Sequence, residues 1–186
     1  MFDFRKRRNE KGSSLTEFGP ALAIFIIFVI VPLLDLGVIP IRYGIAYGVL
    51  NQLTKRMGMC EKLSQANNMY MNEKWWVNDL NASGIFVSKK ALSIRVVGTN
   101  QETAANLPTS APVPTNFLPD SKSGPYYYYL QLTSTLQINP LFPMTVPWAG
   151  IPGLTGPVTI PITTEGAWEN LGRDSESPTE DYFLNE

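Results

Sequence analysis

Hydrophobic positions along this chain follow three different rhythms. From Gly19 to Leu34 no residue is charged, and Asp35 is the single charge before Arg42. The 24 residues from Phe18 to Ile41 make a helix of about 36 Å at about 1.5 Å per residue, enough to cross a hydrocarbon core of about 30 Å. A second rhythm follows: Tyr43, Ala46, Leu50, Leu53, Met57 and Cys60 recur at spacings of three and four, which predicts that the helix continues with one apolar stripe. The stripe fits the chain's own sheet or a partner helix. Met69 to Leu80, with Trp75 and Trp76, reads as a second helix or the end of the first, its tryptophans suited to a core or to a bilayer interface.

The third rhythm is that of strands. Ile85 to Val97 is rich in β-branched and aromatic residues, with a turn expected near Ser88 to Lys90; Tyr126 to Ile138 and Pro157 to Thr164 follow. Proline-rich stretches, Leu107 to Pro125 and Pro140 to Pro157, separate them and need no regular structure. A long helix followed by antiparallel strands predicts an α+β domain whose small sheet covers one face of the helix. The expected organisation is a basic leader at 1–12, a membrane helix at 13–42, an exported domain at 43–164 and an acidic tail at 165–186. The tail carries seven acids against Arg173, so a solvated, mobile segment is expected, with docking of Tyr182-Phe183-Leu184 as the alternative.

Charge sharpens this picture. Residues 1–12 hold five basic residues against two acids, a net of +3, which leaves −4 for the rest of a chain whose total is −1. Basic residues before the apolar run, with only Arg42 soon after it, place the N-terminus in the cytoplasm and the remainder outside. An exterior that is mildly acidic offers no track for phosphates, so nucleic acid is not expected as a partner. With no histidine and one cysteine, the usual zinc ligands and the commonest general base are missing. No cofactor, no metal and no catalytic residue is expected, and the chain is not expected to be an enzyme. Cys60 cannot pair within the chain and reads as a buried small hydrophobe. Asp35 is expected near the outer membrane face or against a partner helix, because a charge facing lipid at mid-bilayer costs about 2.5 to 3.5 kcal/mol.

The residues before the apolar run are Lys11-Gly12-Ser13-Ser14-Leu15-Thr16-Glu17-Phe18. A cleaved secretory signal would end in a small-x-small site, whereas this run ends in Asp35-Leu36-Gly37-Val38-Ile39-Pro40. A plain signal anchor remains open. Basic leader, glycine, four residues, glutamate, aromatic and long apolar helix together form the pattern of a prepilin, cut after the glycine between Gly12 and Ser13. Glycine lets an extended backbone enter a protease cleft without a side-chain clash. A glutamate at the lip of a membrane helix is costly and therefore a functional candidate, or else a first-turn acid that complements the helix dipole. Gly44 and Gly48 form a small-x-x-x-small pair that permits close helix packing or makes a flexible joint.

On Gly12, Glu17, Phe18, Pro32 and Asp35-Leu36-Gly37 the chain resembles the TadE/TadG-like minor pilins of tight-adherence (Tad) pilus systems. A looser match lies in Tyr126 to Thr133 and Asn139-Pro140-Leu141-Phe142-Pro143. Gly19-Pro20 departs from the family's usual Ala-Leu. The resemblance implies a pilin-like fold and processing by a prepilin peptidase. It also implies assembly through Glu17 and Phe18 with other pilin-like subunits and the inner-membrane platform, from a bacterial inner-membrane, single-pass precursor in contact with the lipid bilayer. Major subunits of such systems are very small, so a chain of 186 residues fits a minor subunit. A membrane-anchored binding or scaffold module unrelated to pili is the alternative.

Overall fold

The computed structural model describes residues 10–144, 149–175 and 181–186, with residues 10–17 described as backbone only. Helices α1 (Glu10–Phe25), α2 (Val31–Gly58), α3 (Leu63–Asn72) and α4 (Trp75–Ala82) precede strands β1 (Ile85–Gly98), β2 (Thr103–Pro108), β3 (Tyr126–Ile138) and β4 (Val158–Ala167). A π-helical turn, Ile26–Ile30, joins α1 to α2. Pro32 accounts for it: proline has no N–H to give, and its ring crowds the carbonyl four residues back. The wider turn lets Val31 N–H reach the Ile26 carbonyl instead. Helical backbone is described from Glu10 onward and includes Pro20. From Phe18 to Gly58 it is long and apolar enough to cross a membrane.

The chain divides into two compact units. One comprises residues 1–41 with 139–157, the other residues 42–138 with 158–186. In the second unit an antiparallel sheet of order β2-β1-β3-β4 forms. One face collects Leu92, Ile94 and Val96 from β1, Tyr128, Leu130, Leu132 and Leu136 from β3, and Ile162 and Thr164 from β4, all buried. Register keeps them level, with Leu92 opposite Leu132 and Leu132 opposite Thr164; the period of two puts alternate residues on the other face. The buried stripe of α2 supplies Ala46, Leu50, Leu53 and Met57. Of the two covers open to that stripe, the chain's own sheet is the one found. Backbones meet where β4 crosses the helix: a Cβ built on Gly166 would lie 2.1 Å from the Thr54 carbonyl oxygen, and one on Gly58 2.1 Å from that of Ala167. Thr164 Oγ1 donates to the Leu50 carbonyl at 3.4 Å. The unit is α+β.

Several expectations need correction. The turn near Ser88 to Lys90 is a bulge within one continuous strand, marked by a register shift between Val87 and Lys89. Ser88 Oγ donates to the Thr135 carbonyl at 2.9 Å. The short strand β2 lies in a segment for which the sequence predicts no element and runs only Leu107 and Pro108 into the stretch read as irregular; its sequence, Thr-Ala-Ala-Asn-Leu-Pro, carries little strand propensity. Trp76 is fully buried and Trp75 half-buried. Cys60 is half-buried rather than buried.

The acidic segment does not form a free tail over its described residues. Residues 165–167 complete β4, while Trp168, Asp174, Tyr182 and Leu184 are buried. Lys62 pairs with Asp174 and, at 2.8 Å, with Glu186. Glu169 N–H caps the Gly58 carbonyl at 3.2 Å, and Asn185 Oδ1 accepts from Val113 N–H at 2.7 Å. Summed charge hid this, because buried Trp168, Tyr182 and Leu184 anchor the segment and Lys62 and Arg95 pair with Asp174, Glu186 and Glu165.

Candidate functional site

The helix and Asp35 form the first candidate. Gly12 and Ser13, the expected cleavage site, and Glu17 lie on the helical backbone of α1. Their side chains fall outside the described residues. Phe18 is 64% exposed and opens a run of exposed apolar residues that includes Ile24, Phe25, Ile27, Leu33, Leu34 and Leu36. Gly44 and Gly48 on α2 face open space, with no atom within 4 Å of an added Cβ. Ile41, Ile45 and Tyr47 beside them are exposed. Among the described residues, nothing packs against these glycines.

Asp35 interrupts the exposed surface. It is 1% exposed, and its Oδ1 accepts the N–H groups of Leu141 at 2.8 Å and Phe142 at 3.1 Å. Its Oδ2 is buried without a hydrogen-bond partner. Pro140 and Pro143 flank the two donors; prolines cannot continue a ladder, so β3 ends and the two intervening N–H groups turn to the carboxylate. Within the chain, what covers Asp35 is the loop at Leu141 and Phe142, which the sequence reading does not pair with it. Two hints were in the sequence, an acid inside an apolar run and Pro-x-x-Pro after a strand, but nothing in the sequence paired them.

A second candidate is a shallow depression on the outer face of the sheet, lined by Arg95, Val97, Tyr127, Tyr129 and Glu165. Arg95 Nη1 grips both Glu165 oxygens at 2.7 and 2.9 Å, and Gln131 Nε2 donates to Glu165 Oε1 at 2.7 Å. Asn106 Nδ2 donates to Gln131 Oε1 at 3.0 Å. Both carboxylate oxygens are engaged and Arg95 neutralises their charge, so the depression offers hydrogen bonds and tyrosine faces rather than a poised acid-base pair.

Among the described residues no group of three or more acidic, cysteine or histidine side chains could hold a metal. The Cys60 thiol donates to the Arg56 carbonyl at 3.5 Å. Burial, then the charge of Glu73, pushes its pKa up and keeps it protonated, unlike a nucleophilic thiol. No family model matches the chain, and neither a curated protein nor a solved structure matches it.

Proposed function

We propose that the chain is a minor pilin-like subunit of the TadE/TadG kind, held in the bacterial inner membrane before it takes part in building a tight-adherence pilus. The observation that carries this reading is the change of surface along one helix. Its early part is exposed and apolar, at Leu33, Leu34 and Leu36, while further on Ala46, Leu50, Leu53 and Met57 are buried. A single element thus serves as lipid anchor and as the spine of a folded unit, which is what a subunit needs if it passes from bilayer to filament. The leader supports it: Gly12 and Ser13 offer a peptidase site, and Glu17-Phe18 stand at the head of the helix. Prepilin peptidase, other pilin-like subunits and the membrane platform are the implied partners. Cytoplasmic basic residues set the N-terminus inside.

Cleavage after Gly12 creates an amine at Ser13, four residues from Glu17. When helices assemble and leave water, a paired carboxylate and ammonium cost far less than either charge alone. Glu17 of one subunit therefore meets the Ser13 amine of the next and sets axial register. Glu17→Ala should leave cleavage intact, read by intact mass, yet sharply reduce recovery of the chain in sheared pili and in pulldowns of the platform. Normal assembly of this variant would remove the role of Glu17, and a membrane-extracted chain still carrying residues 1–12 would remove the prepilin reading. The second reading, an anchored binding module, is favoured by the tyrosine-lined depression around Arg95 and Glu165; it predicts full function without cleavage.

A further inference from the structure

The loop between β3 and β4 has a composition unlike the rest of the chain. Residues 139–157 contain no aspartate, glutamate, lysine or arginine, and include five prolines and three glycines. Its two ends meet in the sheet, where Ile138 pairs with Val158. Between them the chain makes an excursion that joins the unit of the apolar helix. Asp35 holds it there through the N–H groups of Leu141 and Phe142. Leu141, Phe142 and Ile151 are exposed, at 44, 54 and 40%.

Depth follows from the helix. Asp35 stands seventeen residues after Phe18, about 25 Å along the axis at about 1.5 Å per residue, against a hydrocarbon thickness of about 30 Å. Leu141 and Phe142 are tied to that level by hydrogen bonds of 2.8 and 3.1 Å. Backbone entering such a region must have its polar groups satisfied. The loop meets part of this demand internally: Met144 N–H bonds the Leu154 carbonyl at 2.9 Å, and Gly153 N–H that of Gly156 at 2.8 Å. Gly150 and Gly153, at φ of 85° and 87°, make the reversals that bring these groups together. Asp35 satisfies Leu141 and Phe142, and their bonds offset the cost of placing its carboxylate near lipid.

We infer that this loop is a second membrane contact. Clamped to Asp35, it seats Leu141, Phe142 and Ile151 in the interface of the outer leaflet, where acyl chains meet headgroups. The inference rests on the reading of the helix as a membrane anchor. Lipid is the occupant that fits an uncharged loop whose Leu141, Phe142 and Ile151 are exposed in the same compact unit as the exposed Leu33, Leu34 and Leu36.

The test uses the full chain, with Cys60→Ser, in phosphatidylcholine–phosphatidylglycerol vesicles. An environment-sensitive fluorophore is attached through Phe142→Cys or, as a separate sample, through Ile27→Cys. Quenching is read with lipids brominated on the acyl chains and with aqueous iodide. Both labels should lose emission in brominated lipid. Asp35→Ala should abolish that loss at position 142 only, while Asp35→Asn, which keeps a carbonyl oxygen for the two N–H groups, should retain it. Lipid quenching at 27 with iodide quenching at 142 would overturn the inference and leave the anchor standing. A position 142 shielded from both quenchers would mean protein covers the loop and would overturn it as well. Absence of lipid quenching at both positions would defeat the anchor reading itself. Unchanged quenching at 142 in the Asp35→Ala chain would overturn the clamp.

Discussion

At the scale of single residues, the contrast among glycines is informative. Gly166 is buried, and its missing Cβ is what lets β4 touch α2 at Thr54. Because backbone atoms rather than a flexible side-chain end stand in the way, Gly166→Ala must push strand and helix apart. We expect a loss of about 1–3 kcal/mol, seen as a lower Tm in detergent. Tyr128 is a different case. It is buried, and its hydroxyl donates to the Phe117 carbonyl at 2.8 Å. Burial first, then the negative potential of Tyr182, Tyr126 and Asp120, pushes its pKa up to about 12. A raised folded-state pKa means that its contribution to stability is complete below the ordinary tyrosine value of about 10. That contribution is lost as pH rises from there through about 12. A phenolate absorbance titration should show a late-ionising tyrosine that disappears in Tyr128→Phe, with a stability loss of about 1 kcal/mol at neutral pH from the missing bond.

At the scale of elements, local chemistry and distant packing divide the work. The π-turn before Pro32 answers proline's missing N–H and the crowding of its ring locally, while Pro40 sits inside α2 without such a turn. The docked segment after β4 is the opposite case. Its place depends on Lys62 between Asp174 and Glu186, on Trp168 N–H bonded to the Tyr128 carbonyl at 2.9 Å, and on fully buried Leu184. The two acids raise the Lys62 pKa through their hydrogen bonds to it, so this clamp holds at neutral pH and weakens only in strong alkali. Leu184 is the larger anchor, because it leaves water entirely. Leu184→Ala should cost about 2–5 kcal/mol if the cavity stays open. Faster hydrogen exchange and faster proteolysis across residues 168–186 would report it. Unaltered exchange there would mean that the segment is held by its ion pairs alone.

At the scale of the whole molecule, the question is which surfaces remain for a partner. Gly44 and Gly48 face open space beside exposed Ile41, Ile45 and Tyr47. If neighbouring subunits pack there, two substitutions at Gly48 should separate stability from assembly. Gly48→Ala has room for its methyl group and should raise stability by about 0.8–1 kcal/mol through helix propensity. Gly48→Leu should leave the Tm near that of the parent but reduce recovery in pili, because the added side chain fills the space a partner backbone would use. Equal recovery of both variants with the parent would exclude this face from packing.

Much of this molecule was legible from its sequence. The membrane-length apolar helix, its continuation as a striped segment, and strands near 85–97, 126–138 and 157–164 are local patterns, fixed by the period of hydrophobic residues and by absent charge. Tertiary structure decided the rest. Only packing showed that α2 meets its own sheet, that a bulge replaces the turn near Ser88, and that β2 pairs with β1 despite weak propensity. Only packing put Asp35 under Leu141 and Phe142 and drew the acidic segment onto the domain. The physical reason is common to these cases. Periodicity reports which face of an element avoids water, but the partner that covers that face can lie more than a hundred residues away, as 106 positions separate Asp35 from Leu141 and 114 separate Leu50 from Thr164, and no local pattern carries its name.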